Sequence, residues 1–275
     1  MTMLIVTAMA LLLVLWMIGQ PYLTESRRAR QRQQPFPQAW REILKKRVPY
    51  VRALPADLQL QLKKHIQVFV AEKTFIGCAG LLITDEIRVT IAAQACLLIL
   101  NRPQTDYYPG LRQILVYPGA FIVDKVHTDE TGVLQDHQRQ VLSGESWSQG
   151  QVILSWQDTV EGAAIPDDAH NVVIHEFAHQ LDQETGSANG APNLPGPARY
   201  RRWSRVMTEA FMQLQDEAHR HDAESLFDHY GATNPAEFFA VASETFFERP
   251  GPLAAKYPIL YHELCDFYRV NPLSW

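Results

Sequence analysis

Residues 175–179 read His-Glu-Phe-Ala-His inside an apolar run, with Val172, Val173 and Ile174 before them and Leu181 after. The pattern is that of a buried helix, and it constrains the fold more than any other stretch of the chain. Positions i and i+4 share one helix face, so the imidazoles of His175 and His179 can reach a single ion. Two histidines and a glutamate on a buried helix need partners, because unpaired polar groups are costly in an apolar interior. The fold must therefore bring to that face either a cation or a set of hydrogen-bonding groups. Glu176 lies three residues before His179, close enough to act on a water held by an ion. This spacing points to a zinc hydrolase, with His175 and His179 as ligands and Glu176 as general base. The competing reading is a polar core cluster satisfied by hydrogen bonds alone.

A catalytic zinc site usually has three protein ligands and one open position. The extended histidine pattern would need Gly at 182 and His at 185, where this chain has Asp182 and Thr185. A glutamate from a later helix is the alternative, and Glu237 and Glu244, two helical turns apart on one face, both qualify. Asn234-Pro235-Ala236-Glu237 also reads as a capping-box helix start, so spacing leaves the choice open. His219, His221 and His229 are further candidates, though they also read as clustered surface histidines. Asp182 is placed to accept a hydrogen bond from the second ring nitrogen of a ligand histidine, or else is a solvated helix-end carboxylate. Tyr230 precedes Glu237 by seven residues at a loop-to-helix junction. A phenol there could donate to an oxyanion, but taken alone it reads as an ordinary half-buried tyrosine.

The N-terminus carries the second strong signal. Met3 to Gly19 is uncharged and almost wholly apolar, at the short end of the ~17–25 residues a spanning helix needs. Trp16 and Tyr22 fit an interface, and Arg27, Arg28, Arg30 and Arg32 follow the run with no basic residue before it. The positive-inside rule then predicts one transmembrane helix, residues 1–23, with the remainder in the cytoplasm. A cleaved signal peptide is the rival, opposed by the missing basic n-region and cleavage site. The arginines read as a solvated flank, or as a contact for anionic head groups. The expected location is the cell (inner) membrane, single-pass.

Residues 24–37 read as a basic linker and residues 38–275 as the folded domain. Residues 38–73 look helical, broken near Pro49 and Pro55. Thr84-Asp85-Glu86 reads as a capped helix start, running to about Leu100. LRQILVY and AFIVD flank Pro118-Gly119 as a hairpin, and Gln151–Trp156 reads as another strand. Pro166-Asp167-Asp168 looks like the start of the histidine helix. Residues 186–197 form a loop, and helices are expected over about 198–221, 235–248 and 252–270. Strands before helices predict an α+β fold with a mainly helical C-terminal half. Cys78, Cys96 and Cys265 are odd in number and far apart, which opposes a disulfide framework or a cysteine zinc knuckle and fits a reducing compartment. The net charge of −5 argues against a nucleic-acid partner.

Several stretches taken together resemble a known family. AAIPDDAHNVVIHEFAHQLDQETG, YGATNPAEFFAVASETFFERP, TDEIRVTIAAQACLLIL and YPGLRQILVYPGAF are similar to the Mlc titration factor A (MtfA) family of zinc-dependent peptidases, over roughly residues 40–272. The resemblance implies a zincin-like, gluzincin-like metallopeptidase domain with Zn2+ held by His175, His179 and Glu237, and Glu176 as catalytic base. The family also resembles the protease domain of anthrax lethal factor, where a tyrosine precedes the ligand glutamate by seven residues. That match implies Tyr230 as an oxyanion donor. Soluble enteric members bind a transcriptional repressor of glucose uptake, whereas this chain adds the N-terminal apolar segment.

The expected function is thus a membrane-anchored zinc peptidase facing the cytoplasm, leaning towards aminopeptidase-like action on small peptides. Its expected partners are a peptide or protein substrate, the membrane and, as a further candidate, a regulator protein. Gln151–Trp156 is expected to pair with extended substrate by β-augmentation. The alternative is a zinc-containing binding protein that captures a transcriptional regulator, with weak or vestigial peptidase activity. A third reading is a structural, membrane-tethered protein with a polar core cluster.

Overall fold

Helix α1 (Thr2–Gln33) takes in the apolar run and continues without a break through Pro21 and the basic segment. The computed structural model describes residues 2–102, 106–128, 135–142, 144–147, 150–222 and 224–275. Helix α2 (Gln38–Arg47) leads through a 3-10 turn at Pro49–Arg52 into α3 (Ala56–Glu72), the breaks falling at the two prolines. Strand β1 (Thr74–Gly77) precedes α4 (Asp85–Leu97), whose N-cap Thr84 accepts from the Ile87 N–H. Then come β2 (Gln113–Tyr117), β3 (Phe121–Thr128), β4 (Gln135–Leu142), β5 (Gly144–Trp147) and β6 (Gln151–Ser155). Helices α5 (Trp156–Ala164), α6 (Val172–Asp182), α7 (Gly196–His219), α8 (Pro235–Glu248), α9 (Pro250–Lys256) and α10 (Pro258–Tyr268) complete the chain.

The fold is mainly helical with a small, largely parallel sheet, which corrects the α+β expectation. Among the described residues the larger sheet has the order β1-β2-β6-β5, with β1, β2 and β6 parallel and β5 antiparallel to β6. Parallel strands need a crossover, and α4 supplies it between β1 and β2. The hairpin expected around Pro118-Gly119 does not form: β2 lies between β1 and β6, and β3 pairs with β4 instead. The local turn signal is real, but β2 finds its partners across long separations. Helices α4 and α8 are buried along nearly their whole length. Phe177 of α6 meets Tyr108 at 4.8 Å and Phe69 at 5.7 Å, which seats the histidine helix in the core.

The expected transmembrane helix is also corrected. Among the described residues, no helix is long and apolar enough to cross a membrane. The apolar run is the first part of a longer helix whose charged end packs on the body. Arg28 pairs with Glu72 at 2.6 Å and Asp106 at 3.1 Å, and lies 5.0 Å above the Tyr107 ring. Gln67 donates to the Gln34 carbonyl at 3.0 Å, tying α3 to the exit from α1. The membrane anchor, the inner-membrane location, the cytoplasm-facing orientation and the membrane as a partner all rested on that span and fall with it.

Candidate metal centre

Asn171, rather than Pro166-Asp167-Asp168, starts α6: its Oδ1 accepts from the Ile174 N–H at 3.0 Å. The helix then presents His175 and His179 on one face, ring centroids 4.9 Å apart. Helix α8 packs against it, and Asn234 caps α8 by accepting from the Ala236 and Glu237 N–H groups at 2.9 and 3.0 Å. The Glu237 carboxylate is turned to the histidines. Its Oε2 lies 3.0 Å from His175 Nε2 and 3.3 Å from His179 Nε2, and the two Nε2 atoms are 3.2 Å apart.

Among the described residues, these three atoms converge as a group that could hold a metal ion. Donors bound at ~2.0–2.1 Å to a tetrahedral ion stand roughly 3.3 Å from one another, which is the spacing seen here. Two imidazole nitrogens and a carboxylate oxygen in mutual contact fit a divalent cation. Burial lowers the His175 pKa, but the Glu244 charge and hydrogen bonds to Glu237 and Glu244 outweigh it and raise the pKa well above the usual range. Burial likewise opposes ionisation of Glu237, yet its contacts with His175 and His179 hold it well below the usual carboxylate range.

Glu244 behaves differently from Glu237. Its Oε1 accepts from His175 Nδ1 at 2.8 Å and its Oε2 from the Asn171 N–H at 2.5 Å. A carboxylate on Nδ1 fixes the tautomer and leaves the Nε2 lone pair for an ion. Spacing could not separate the two glutamates, because seven residues is two turns; the tertiary fold puts them on opposite nitrogens of one ring.

Glu176 is buried, 5% exposed, beside the strand that follows the β3–β4 pair. A Cβ at Gly144 would lie 2.6 Å from Glu176 Oε1 and from Val172 Cγ2, so only glycine lets β5 pass this closely. No sequence signal marked Gly144. Tyr230 sits in a 3-10 turn, His229–Ala232, capped by Asp228; its ring is 6.0 Å from that of His175 and 53% exposed. His175, Glu176, Tyr230 and Glu244 line a cleft of about 560 Å³ rimmed by Asp158, Glu161, Asp168 and Asp228.

Asp182 ties down the loop that follows its helix. Its Oδ2 accepts from the Asn189 and Gly190 N–H groups, both at 2.7 Å. Its Oδ1 and His179 Nδ1 are each buried without a hydrogen-bond partner. The loop it ties touches α8, since a Cβ at Gly190 would meet the Pro235 carbonyl at 2.4 Å. Asp182 thus braces the start of the helix that carries Glu237. His219, His221 and His229 are not in the convergent group. Among the described residues, strand β6 has β2 on one side and β5 on the other, so Gln151–Ser155 has no free edge for an extended peptide, and Trp156 begins α5.

The family described as glucose-regulated metallo-peptidase M90 matches residues 23–269. An uncharacterized protein of Synechocystis sp. is 39% identical over 270 residues, covering 98% of this chain and 97% of the relative. Mlc titration factor A of Klebsiella pneumoniae is 34% identical over 237 residues, 86% of this chain and 87% of that protein. The Yersinia pestis protein of the same name is 33% identical over 237 residues, 86% and 85% of the two chains. With the family match spanning the metal-ligating group and the helices that build it, this chain belongs to the glucose-regulated metallo-peptidase M90 family, that of Mlc titration factor A.

Proposed function

We propose that this chain is a zinc-containing regulatory protein that captures a transcriptional regulator, with peptide hydrolysis a subordinate activity of the same centre. The observation that carries the reading is the similarity, over 86% of the chain, to proteins named for titrating Mlc. It replaces the membrane-anchored peptidase, whose anchor the helix architecture removes. Zinc is the ion favoured by two imidazoles and one carboxylate with a position left open, and His175, His179 and Glu237 would hold it in a gluzincin-type ligand set.

The same residues support the peptidase chemistry. Zinc in such a site supplies Lewis acidity and lowers the pKa of a water towards ~7. Glu176, buried next to His175, accepts the proton of an attacking water and returns it to the leaving amine. Tyr230, at the cleft beside His175, offers a phenol to the developing oxyanion. Asp182 holds the loop that braces α8 and so contributes to where Glu237 stands.

The test is calorimetric titration of the purified chain and its Glu176→Gln variant with an Mlc-type repressor, beside a peptide-turnover assay. Equal repressor binding by both proteins, with turnover lost in Glu176→Gln, is the expected result. No binding by either protein, with efficient turnover by the wild type, overturns regulator capture in favour of a peptidase.

A further inference from the structure

One buried carboxyl near the centre has no part in the chemistry above. Glu248, one helical turn beyond Glu244, is 8% exposed. Its Oε1 accepts from Asn171 Nδ2 at 2.9 Å, and the Ala169 backbone also bears on the carboxyl. Asn171 is the junction. Its Oδ1 caps α6, its N–H donates to Glu244 Oε2, and its amide also reaches the Gly162 carbonyl at 3.3 Å. A continuous hydrogen-bonded path therefore runs from Glu248 through Asn171 and Glu244 to His175 Nδ1.

We propose that Glu248 is a positioning residue of the metal centre, acting through Asn171 and Glu244 to keep His175 Nε2 turned to the ion. The inference rests on the proposed zinc site and deepens it. A buried carboxyl is a poor choice for stability alone, since a well-packed apolar side chain would avoid the desolvation penalty. What Glu248 supplies is an acceptor that fixes the Asn171 amide. With that amide fixed, the Asn171 N–H stays aimed at Glu244, and Glu244 stays on the ring. The groups facing Glu248 are Glu244 on its own helix, Asp168 before α6 and the Tyr50 phenol from the 3-10 turn. Burial in this acidic company pushes the Glu248 carboxyl up to about 8, so around neutral pH the neutral acid predominates and serves as a hydrogen-bonding side chain.

A neutral acid has an isostere in glutamine. Zinc affinity is measured by competition with a chromophoric chelator for the full chain and for Glu248→Gln, Glu248→Leu and Asn171→Asp. Asn171→Asp keeps the helix cap but replaces the amide donor with an oxygen. Glu248→Gln is expected to bind zinc within about twofold of wild type. Glu248→Leu and Asn171→Asp are expected to weaken binding about tenfold, the low end for groups behind a ligand. Nitrogen-15 NMR of the zinc form should then show the His175 Nδ1–H signal intact in wild type and Glu248→Gln and broadened in the other two, a change that lost packing alone does not produce. Zinc binding by wild type and equally by Glu248→Leu and Asn171→Asp overturns the positioning role alone. A loss in Glu248→Gln as large as in Glu248→Leu also overturns it. A wild-type chain that takes up no zinc overturns the metal reading, and the positioning role with it.

Discussion

Replacing Gly144 with alanine tests whether the position of Glu176 depends on the close approach of β5. The added methyl would sit 2.6 Å from Glu176 Oε1 and Val172 Cγ2 and 2.7 Å from Glu176 Cγ. An ordinary contact begins near 3.4 Å, so some atom must move by about 0.8 Å. The carboxylate tip can swing, but Glu176 Cγ and the Val172 methyl stand close to the α6 backbone, so the strain falls on the α6–β5 contact. Overpacking of this kind costs about 1–3 kcal/mol. At roughly 2–4 °C per kcal/mol for a domain of this size, the melting temperature should fall by about 2–12 °C. The metal donors lie on other contacts, so zinc content should stay at the wild-type level. Peptide turnover should drop ~10²-fold, the effect of misplacing a reacting group by about 1 Å. Gly110→Ala is the control, because a Cβ there meets nothing within 4 Å. Calorimetry, metal analysis and a peptide assay on the three proteins decide the matter. A Gly144→Ala protein that melts and turns over substrate like wild type would refute the reasoning, since the methyl would then have found room the structure does not provide.

Three further outcomes follow from the centre. Glu237→Ala should abolish stoichiometric zinc after dialysis, whereas Glu244→Ala should weaken it ~10–100-fold; the reverse order would exchange their roles. Zinc uptake should release a proton from His175, whose pKa is raised by its carboxylate neighbours despite burial. Affinity should therefore rise with pH, and titration calorimetry in buffers of different ionisation enthalpy should count that proton. For Glu248 the folded-state pKa, pushed up mainly by burial to about 8, lies above the ordinary carboxyl value. The folded protein then binds more protons than the unfolded chain between those values, so this group erodes stability as pH rises through that window. Denaturant unfolding at pH 5 and pH 8 should show a loss in wild type that Glu248→Gln lacks.

The histidine helix was legible because two periodicities coincide there: the apolar positions bury one face and the i, i+4 spacing aligns the imidazoles. Its true start was less so. Pro166-Asp167-Asp168 carries as many start signals as Asn171, and Asn171, which caps the helix, is also tied to Glu244 and Glu248 of α8. The sheet departs from its local signals for a similar reason. Pro118-Gly119 is a strong local turn, yet β2 pairs with strands reached only through long crossovers, and no local pattern encodes that. The N-terminal run was readable as helix. That it continues into an arginine-bearing segment docked on Glu72 and Asp106 depends on partners 44 and 78 residues away.

All three convergent donors come from only two elements, α6 and α8. An ion held there is a removable rivet between two core helices, and its occupancy is thermodynamically linked to their docking. By mass action, zinc at 100 times its dissociation constant would add about 2.7 kcal/mol to whatever holds α8 against α6. Zinc availability in the surroundings would then set how often that joint opens, and amide exchange in the first turn of α8 would record it.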